Sequence, residues 1–250
     1  MKKIIFLGSK PIGYECFKFL VQKKDILEID IVGIHTNENA VINNNKSLLE
    51  LARKHKIYIL NSTDEILNIQ SDFIISVQYH KILKLNHIKS ARILAFNLHM
   101  APLPELRGCN QFSFALYKNI DRFGTTLHVI DEGIDSGDII FEKRFKIPKN
   151  CFVDELYNLT FRHSCNLFYE KVPLIFKNKY KLTTQDSLIS DRGTSIHFRK
   201  EINELKEINL DEGVDELKRK IRSTSMPGFE PPFFMFNNKK FYITSKIKYE

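Results

Sequence analysis

The chain has 250 residues, 43% of them hydrophobic and 12% aromatic, so it is long enough for one good-sized domain with a small appendage but not for two full domains. This apolar content excludes an intrinsically disordered chain. With 38 Lys and Arg against 30 Asp and Glu, the net charge of +8 favours anionic ligands, but the lysines are scattered, and solubility is the simpler explanation of them.

In the N-terminal third of the chain, short apolar runs alternate with segments of helical spacing. Strands are predicted at residues 3–7, 29–34, 57–60 and 72–77. Helices are predicted after Gly8, at 47–56 and at 63–69. Strands that alternate with helices at this spacing indicate a parallel sheet that is covered on both faces.

The next part of the chain continues this pattern and then leaves it. The predicted elements are a strand at 93–99, a Pro-rich loop at 101–108, a helix at 110–118, strands at 124–130 and 138–146, and a long amphipathic helix at 153–176. From about residue 180 follow turns, a charged segment at 197–206, a helix at 214–223, and a hairpin of residues 233–236 and 240–243. The hairpin turn is Asn237-Asn238, because paired Asn can supply the positive φ that such turns need.

The predicted fold class is therefore α/β. We expect a Rossmann-like, mostly parallel sheet flanked by helices, with a small C-terminal α+β tail that ends in a β-hairpin. The predicted domains are residues 1–180, which would carry the chemistry, and a small C-terminal subdomain at 181–250.

The four cysteines, Cys16, Cys109, Cys151 and Cys165, form no C-x-x-C pair, which predicts free thiols in a reducing compartment. The N-terminal apolar run of four residues is too short for a signal peptide. No stretch of the sequence approaches the ~18 apolar residues of a membrane span. We therefore expect a cytoplasmic protein with no membrane partner.

Four loops at predicted carboxyl ends of strands, or at the turn between the last two, carry unusual residues. They are GSKPIG (8–13), SVQYH (76–80), NLHMAPLP (97–104) and DEGIDSGD (131–138). Ligands of open parallel sheets gather at such loops. Asn97 and His99 are two residues apart at a strand end, so their side chains point the same way.

An amide beside an imidazole fits acyl transfer to an amine. The carbonyl oxygen becomes negative during attack and needs preorganised donors, while an imidazole can accept the proton of the incoming nitrogen. A carboxylate would orient the ring, and Asp131, Asp135 and Asp138 are available for that role. Taken alone, the N-x-H pattern is weak, because Asn and His at strand ends are more often turn or cap residues.

Two long motifs identify a family resemblance over residues 1–175. FNLHMAPLPELRG, followed by GTTLHVIDEGIDSGDII, resembles the paired signature of the folate-dependent formyltransferases. That family includes glycinamide ribonucleotide transformylase, methionyl-tRNA formyltransferase and the sugar-nucleotide N-formyltransferases. The resemblance implies that N10-formyltetrahydrofolate is the formyl donor.

Carried over residue by residue, the resemblance implies that Asn97, His99 and Asp135 are catalytic. It implies folate contacts for two segments, with the residues Ser76, Val77, Gln78, Tyr79, Ile82, Asp131 and Glu132. The sequence has His80 where many members have Gly, which puts the conformation of that loop in doubt; a solvated loop histidine is the simpler interpretation. No metal is expected, because the eight histidines and four cysteines show no ligand spacing.

The length of the tail bears on the formyl acceptor. The chain runs past the bare catalytic domain of a glycinamide ribonucleotide enzyme and lacks room for the tRNA-binding β-barrel of methionyl-tRNA enzymes. The tail resembles that of sugar-nucleotide N-formyltransferases, and NLHMAPLPELRGCNQFSFAL is similar to members that act on 4-amino-4,6-dideoxy sugars linked to dTDP or GDP. This implies a role in O-antigen or other surface polysaccharide synthesis, and a homodimer formed through the C-terminal tail.

The loop GSKPIG is expected to hold the pyrophosphate of the sugar nucleotide through Ser9 and Lys10, since amides at a helix N-terminus favour anions. It has neither the G-x-G-x-x-G spacing nor the closing Gly-Lys-Ser/Thr of a P-loop, and a plain strand-to-helix turn is the alternative. Further acceptor contacts are predicted at Met100, Arg107, Asn110 and Gln111. Arg107 could instead anchor its loop, and Asn110 could cap the following helix.

Three other interpretations remain open. A formyltransferase acting on tRNA is supported by the +8 charge, although no concentrated basic cluster appears and no nucleic-acid partner is expected. A nicotinamide-dependent dehydrogenase fits the alternating pattern but lacks its G-x-G-x-x-G fingerprint. A catalytically inactive binding module on the same fold is the third, and the presence of all three catalytic residues argues against it. The Phe-rich tail could stack on a base or pack a hairpin.

Overall fold

The computed structural model describes residues 1–37, 41–42 and 46–244. Its strands are β1 (Lys2–Gly8), β2 (Ile29–His35), β3 (Val41–Ile42), β4 (Lys46–Ser47), β5 (Ser71–Val77), β6 (Ala91–His99), β7 (Arg107–Gly108), β8 (Arg122–Val129), β9 (Ile139–Lys146), β10 (Ile196–His197), β11 (Phe233–Phe236) and β12 (Lys239–Tyr242). Its α-helices are α1 (Lys10–Lys23), α2 (Leu48–Lys54), α3 (Leu85–Lys89), α4 (Gln111–Tyr117), α5 (Val153–Phe176), α6 (Asp186–Arg192), α7 (Ile202–Lys206) and α8 (Val214–Thr224).

The central sheet has six strands in the order β2-β1-β5-β6-β8-β9. The first four run parallel, whereas β8 and β9 are antiparallel to their neighbours. This confirms the predicted α/β fold with a mostly parallel sheet. The chain moves outward from β1 to β2 and then returns to the other side of β1, so the strand order reverses between β1 and β5. Ligands of such sheets bind at the carboxyl ends of the strands beside this reversal.

The core covers both faces of the sheet, as the continuous apolar runs predict. On one face Ile4 and Phe6 of β1 pack with residues of α1, α2 and α5, including Phe17 and Phe168. On the other face the alternate residues of β1 pack in a second cluster with Leu60, Ile66, Ile74 and Ala95. The period-2 alternation of a strand therefore divides one short sequence between two hydrophobic layers.

Some elements differ from the prediction. Residues 57–60 form one isolated bridge, Ile34 with Ile59, rather than a strand, because only Ile34 exchanges ladder hydrogen bonds with this segment. The helix predicted at 63–69 is a 3-10 helix, Thr63–Asn68. The charged segment 197–206 is partly helical and contains α7. The helices α3 and α6 were not predicted. The helix α6 buries no side chain and so shows no amphipathic periodicity.

The C-terminal hairpin β11–β12 forms where the sequence predicts it. Asn237 and Asn238 have φ values of 48° and 59°, as a two-residue turn of this kind requires. Phe233 is buried, and its carbonyl accepts a hydrogen bond of 2.7 Å from the amide of Ile208. The hairpin thereby packs against a small cluster of Phe152, Ile208 and Ile221, which joins the tail to the start of α5.

Two features relate to the environment of the chain. All four cysteines are free, and three of them are buried, as predicted. Within the part of the chain that the structure describes, no helix combines the length and the apolar character needed to cross a bilayer.

A buried chain of hydroxyl groups fixes the end of β6 against α5. Ser164 Oγ donates to Thr125 Oγ1 over 2.8 Å, and Thr125 Oγ1 donates to the carbonyl of His99 over 3.0 Å. Ser164 and Thr125 are both fully buried. Because buried polar groups need partners, this chain sets the spacing between the long helix and the strand that carries His99.

We expect Thr125→Val to lower the free energy of unfolding by about 1–3 kcal/mol, since valine keeps the shape but leaves Ser164 and the His99 carbonyl without their partner. Urea denaturation measures the change. Thr184→Val is the control, because Thr184 is exposed, and its effect should stay within about 0.5 kcal/mol. Equal effects of the two substitutions would contradict the structural role of the hydroxyl chain.

Candidate active site

The centre of the site lies where β6 and β8 run side by side. Their antiparallel register sets Asn97 opposite His128 and His99 opposite Thr126. Asn97 Nδ2 lies 3.1 Å from His128 Nε2, and the two imidazole rings of His99 and His128 are 6.2 Å apart at 86°. The two residues of the N-x-H pattern thus face the same side of the sheet, as their spacing requires.

The hydrogen bonds of His99 define which ring nitrogen exchanges a proton. Its Nε2 donates to the carbonyl of Leu106 over 2.8 Å, and a carbonyl can only accept, so Nε2 carries a hydrogen. The other nitrogen, Nδ1, lies 3.5 Å from Asp135 Oδ2. In the neutral ring this nitrogen holds the free lone pair. The ring forms an ion pair with Asp135 once Nδ1 takes up a proton.

Asp135 stands between the two histidines. Its Oδ1 lies 3.4 Å from His128 Nε2, and its Oδ2 accepts a hydrogen bond of 3.0 Å from the amide of Gly108. Burial by itself would raise the pKa of this carboxyl. The adjacent His99 and His128 and the Gly108 N–H outweigh burial and hold the pKa of Asp135 well below its usual range. The carboxylate is therefore ionised throughout the neutral range.

The turn that carries Asp135 is tightly built. Asp131 Oδ1 accepts hydrogen bonds from the amide of Gly133 and the hydroxyl of Ser136, at 3.1 Å and 2.6 Å. A Cβ at Gly137 would lie 2.0 Å from the carbonyl oxygen of Val129, so only glycine fits that position. The side chain of Asp131 is thus occupied in shaping the turn, while Glu132 is exposed beside it.

A segment from the tail wraps around the site. We call residues 183–199 the strap. Its backbone accepts hydrogen bonds from Arg107 N at Ser195 O, 3.0 Å, and from Cys109 N at His197 O, 2.7 Å. Its Thr183 pairs with Ile139 of β9. The strap therefore joins the loop after β6 to the strand after the Asp135 turn, and the catalytic loops are held from a part of the chain distant in sequence.

Two residues of this site were missed by sequence reasoning. His128 stands within the strand of the second family motif, and its place opposite Asn97 could have been inferred only from the antiparallel register. Gln185, in the strap, is 2% exposed and donates from Nε2 to the carbonyls of Asp135 and Gly137, at 2.8 Å and 2.7 Å. No local pattern marks it, because its partners are about 50 residues earlier in the chain.

The predicted folate segment lies at the end of β5, next to β6. Ser76 pairs with Asn97 and is buried with Val77, whereas Gln78 turns the chain with a φ of 50°. Tyr79 Oη contacts His35 Nδ1 at 2.8 Å and Thr63 Oγ1 at 2.7 Å. Ile82 is 86% exposed, and His80 is exposed as expected, stacked near His35 with 5.8 Å between ring centroids.

The loop after β1 meets this segment across the strand-order reversal. Ser9 is buried, and its hydroxyl donates to the carbonyl of Gln78. Lys10, with a φ of 61°, reaches Gln78 Oε1 at 3.2 Å. Desolvation and then the positive charge of Arg199 in the strap lower the pKa of Lys10. Within the described residues neither Lys10 nor Arg199 is paired with a carboxylate.

The remaining predicted acceptor contacts occupy different environments. Arg107 anchors its loop, donating from Nε to Gln185 Oε1 over 3.0 Å. Asn110 does not cap α4; its Nδ2 donates to the carbonyls of Phe198 and Arg199 at 3.0 Å and 3.2 Å. Gln111 is buried, and Met100 lies in the main core with 1% exposure, so its side chain presents no surface to a ligand.

The arrangement supplies what acyl transfer to an amine requires. Asn97 offers amide hydrogens, His99 offers one nitrogen that exchanges a proton, and Asp135 stabilises the charged ring. Among the described residues, no group of His, Cys, Asp and Glu has the geometry to hold a metal ion.

The protein is thus a Rossmann-like α/β domain in which Asn97, His99 and Asp135 lie close together near the carboxyl ends of the central strands. Residues 22–172 match the family model described as formyl transferase. The chain belongs to the formyl transferase family.

Individual relatives differ in how much of their length the chain covers. It is 26% identical to the bifunctional polymyxin resistance protein ArnA of Wigglesworthia glossinidia brevipalpis, over 99% of this chain and 38% of that protein. It is 27% identical to the methionyl-tRNA formyltransferase of Kosmotoga olearia, over 74% of this chain and 62% of that enzyme. The chain therefore spans less than two thirds of the length of these curated relatives.

One solved structure matches this chain over most of the length of both proteins. This is WlaRD, described as a sugar 3N-formyl transferase in the presence of dTDP and 5-N-formyl-THF. The two chains are 28% identical, with a TM-score of 0.78, and the match covers 96% of this chain and 84% of WlaRD.

Proposed function

We propose that the protein transfers a formyl group from N10-formyltetrahydrofolate to the amine of a nucleotide-linked amino-dideoxy sugar. The observation that carries this proposal is the convergence of Asn97 and His99, from β6, with Asp135, from the turn after β8, around one point near the end of β6. Family membership supports the reaction, and the even match to WlaRD supports the acceptor class.

The residues act on the one proton that is transferred and on the negative charge that develops during the reaction. As the amine nitrogen bonds to the formyl carbon, the carbonyl oxygen becomes negative and Asn97 donates a hydrogen bond to it. His99 accepts the amine proton at Nδ1, directly or through water, and Asp135 stabilises the resulting imidazolium. The bond from the formyl carbon to N10 then breaks, and that proton passes to N10 through water.

The segment at the end of β5 suits the folate. Ser76, Val77, Gln78 and Tyr79 lie beside Asn97 across the sheet, so a ring bound along this segment would bring its formyl group to the catalytic centre. The turn with Asp131 and Glu132 would contact the folate through its backbone groups, since the side chain of Asp131 is occupied within the turn. Desolvation raises the pKa of Tyr79, which keeps its hydroxyl neutral and able to hydrogen bond.

The sugar-nucleotide assignment is favoured over tRNA by the similarity of the solved structures. WlaRD is 28% identical with a TM-score of 0.78, whereas a methionyl-tRNA formyltransferase from Clostridium thermocellum is 17% identical with a TM-score of 0.61, and each match covers 96% of this chain. The acceptor we propose is a dTDP- or GDP-linked 4-amino-4,6-dideoxyhexose, used for O-antigen or another surface polysaccharide. WlaRD is described as a 3N enzyme, so 3-amino sugars are the nearest competing acceptors.

The test is to incubate the protein with N10-formyltetrahydrofolate and a panel of dTDP-, GDP- and UDP-linked 3-amino and 4-amino sugars, with methionyl-tRNA as a further acceptor. Mass spectrometry should detect the gain of one formyl group on a sugar nucleotide. Formylation of methionyl-tRNA alone would establish the rival function.

His99→Asn should lower kcat about 10²-fold or more, because the proton acceptor is lost. Near-normal turnover of this variant would overturn the role of His99.

We further propose that the acceptor pyrophosphate lies between Lys10 and Arg199. After desolvation, the positive charge of Arg199 also lowers the pKa of Lys10, so the two cations lie near each other. Neither is paired with a carboxylate among the described residues, and together they form an electropositive position. The N-terminus of the 14-residue helix α1 adds to it, since helix N-termini favour anions. Asn110 supports the geometry by binding the carbonyl of Arg199.

Lys10→Ala and Arg199→Ala should each raise the KM for the sugar nucleotide at least about tenfold and leave the KM for the folate nearly unchanged, because each removes one charge-assisted contact. Steady-state kinetics with each substrate varied in turn measures both constants. Lys200→Ala is the matched control, being the exposed neighbour of Arg199. An equal rise in the two KM values would remove this assignment.

We also propose that the C-terminal tail mediates a homodimer. Phe229, before the hairpin, is 68% exposed, and Phe236, Phe241 and Tyr242 of the hairpin are also exposed. The rings of Phe236 and Phe241 are 6.2 Å apart, and exposed apolar side chains grouped in this way mark interaction surfaces.

Sedimentation equilibrium should show a dimer that dissociates on dilution. The double substitution Phe229→Ser, Phe236→Ser should weaken it about tenfold or more, because it removes apolar surface from the interface. Ile26→Ser, at an exposed isoleucine away from the tail, should leave the dimer intact. A wild-type protein that stays monomeric at high concentration would exclude the dimer.

A further inference from the structure

We propose that Gln185 is a positioning residue for formyl transfer, one that holds Asp135 in the orientation from which it stabilises His99. This inference rests on the function proposed above. It assigns a role in the chemistry to the strap, whose Gln185 contacts the backbone of the Asp135 turn.

Gln185 makes three hydrogen bonds from a buried position. Its Nε2 donates to the carbonyl of Asp135 over 2.8 Å and to the carbonyl of Gly137 over 2.7 Å. Its Oε1 accepts from Arg107 Nε over 3.0 Å. A primary amide has two N–H donors and a carbonyl acceptor, so both donors and the acceptor oxygen are engaged. A carboxylate could accept from Arg107 but could not donate to the two carbonyls.

The backbone of Asp135, which Gln185 contacts, has an energetically unfavourable conformation. Asp135 has a φ of 49°, a left-handed conformation that costs energy for any residue with a side chain. Such conformations persist where the surroundings fix them. The Gly108 amide fixes the carboxylate and Gln185 fixes the carbonyl, so the residue is held at both ends. Without Gln185, the turn can relax and carry the carboxylate away from His99.

Gln185 also links the Asp135 turn to the loop after β6. Arg107 and Gly108 form β7, which pairs with β10 of the strap. Arg107 uses Nε on Gln185, and among the described residues its terminal nitrogens have no hydrogen-bond or ion-pair partner. One amide therefore joins the loop that carries Arg107, the turn that carries Asp135, and the strap itself.

The test compares Gln185→Met, which removes every hydrogen bond at similar size, with Gln185→Glu, which keeps the contact to Arg107 but loses the donors. Both should lower kcat about 10- to 100-fold and change the folate KM less than about threefold. Gln70→Met and Gln70→Glu are matched controls at an exposed glutamine before β5.

A second measurement needs no substrate. ¹³C NMR titration of the Asp135 carboxyl should show its pKa rising in Gln185→Met toward the ordinary value of about 3.9. Circular dichroism checks that the variants are folded. An unchanged Asp135 titration in a folded variant would overturn the inference, as would wild-type kcat in both variants. If the wild-type protein formylates no acceptor, the proposed function fails while this titration still decides the role of Gln185.

Discussion

The site depends on one carboxylate that is held ionised in a nearly buried position. Asp135 accepts the amide hydrogen of Gly108 and faces two imidazoles at 3.4 Å and 3.5 Å. An isolated carboxylate would be too costly to bury, so these partners are what make its placement possible. Much of the surrounding structure, from the glycine turn after β8 to the strap, serves to keep this group in place.

The sheet topology explains why the groups meet. Three parallel strands, β1, β5 and β6, carry their loops to one edge of the sheet, and the antiparallel β8 begins beyond that edge and runs back along β6. This antiparallel pairing sets His128 directly opposite Asn97. The turn that follows β8 then folds back so that Asp135 lies within 3.5 Å of both His99 and His128.

The sequence predicts the part of this structure that is encoded locally. Continuous apolar runs identified β1 and β5, paired asparagines identified the hairpin turn, and the spacing of Asn97 and His99 predicted that they share a face. Prediction from the sequence failed where the structure of a segment depends on pairing with residues that are distant in the chain. Residues 57–60 have strand-like composition but find only one bridging partner, and Gln185 acquires its contacts only after the tail folds back.

The close approach at Gly108 has a consequence for the order in which the site assembles. Its φ is 82°, and a Cβ there would lie 2.4 Å from the carbonyl of His197, so this glycine lets the strap lie directly against the loop after β6. The region that matches the family ends at residue 172, before the strap begins. A nascent chain that has emerged only that far already carries Asn97, His99 and Asp135, but the hydrogen bonds from Gln185 to the Asp135 turn can form only after the segment that follows has been synthesised and docked.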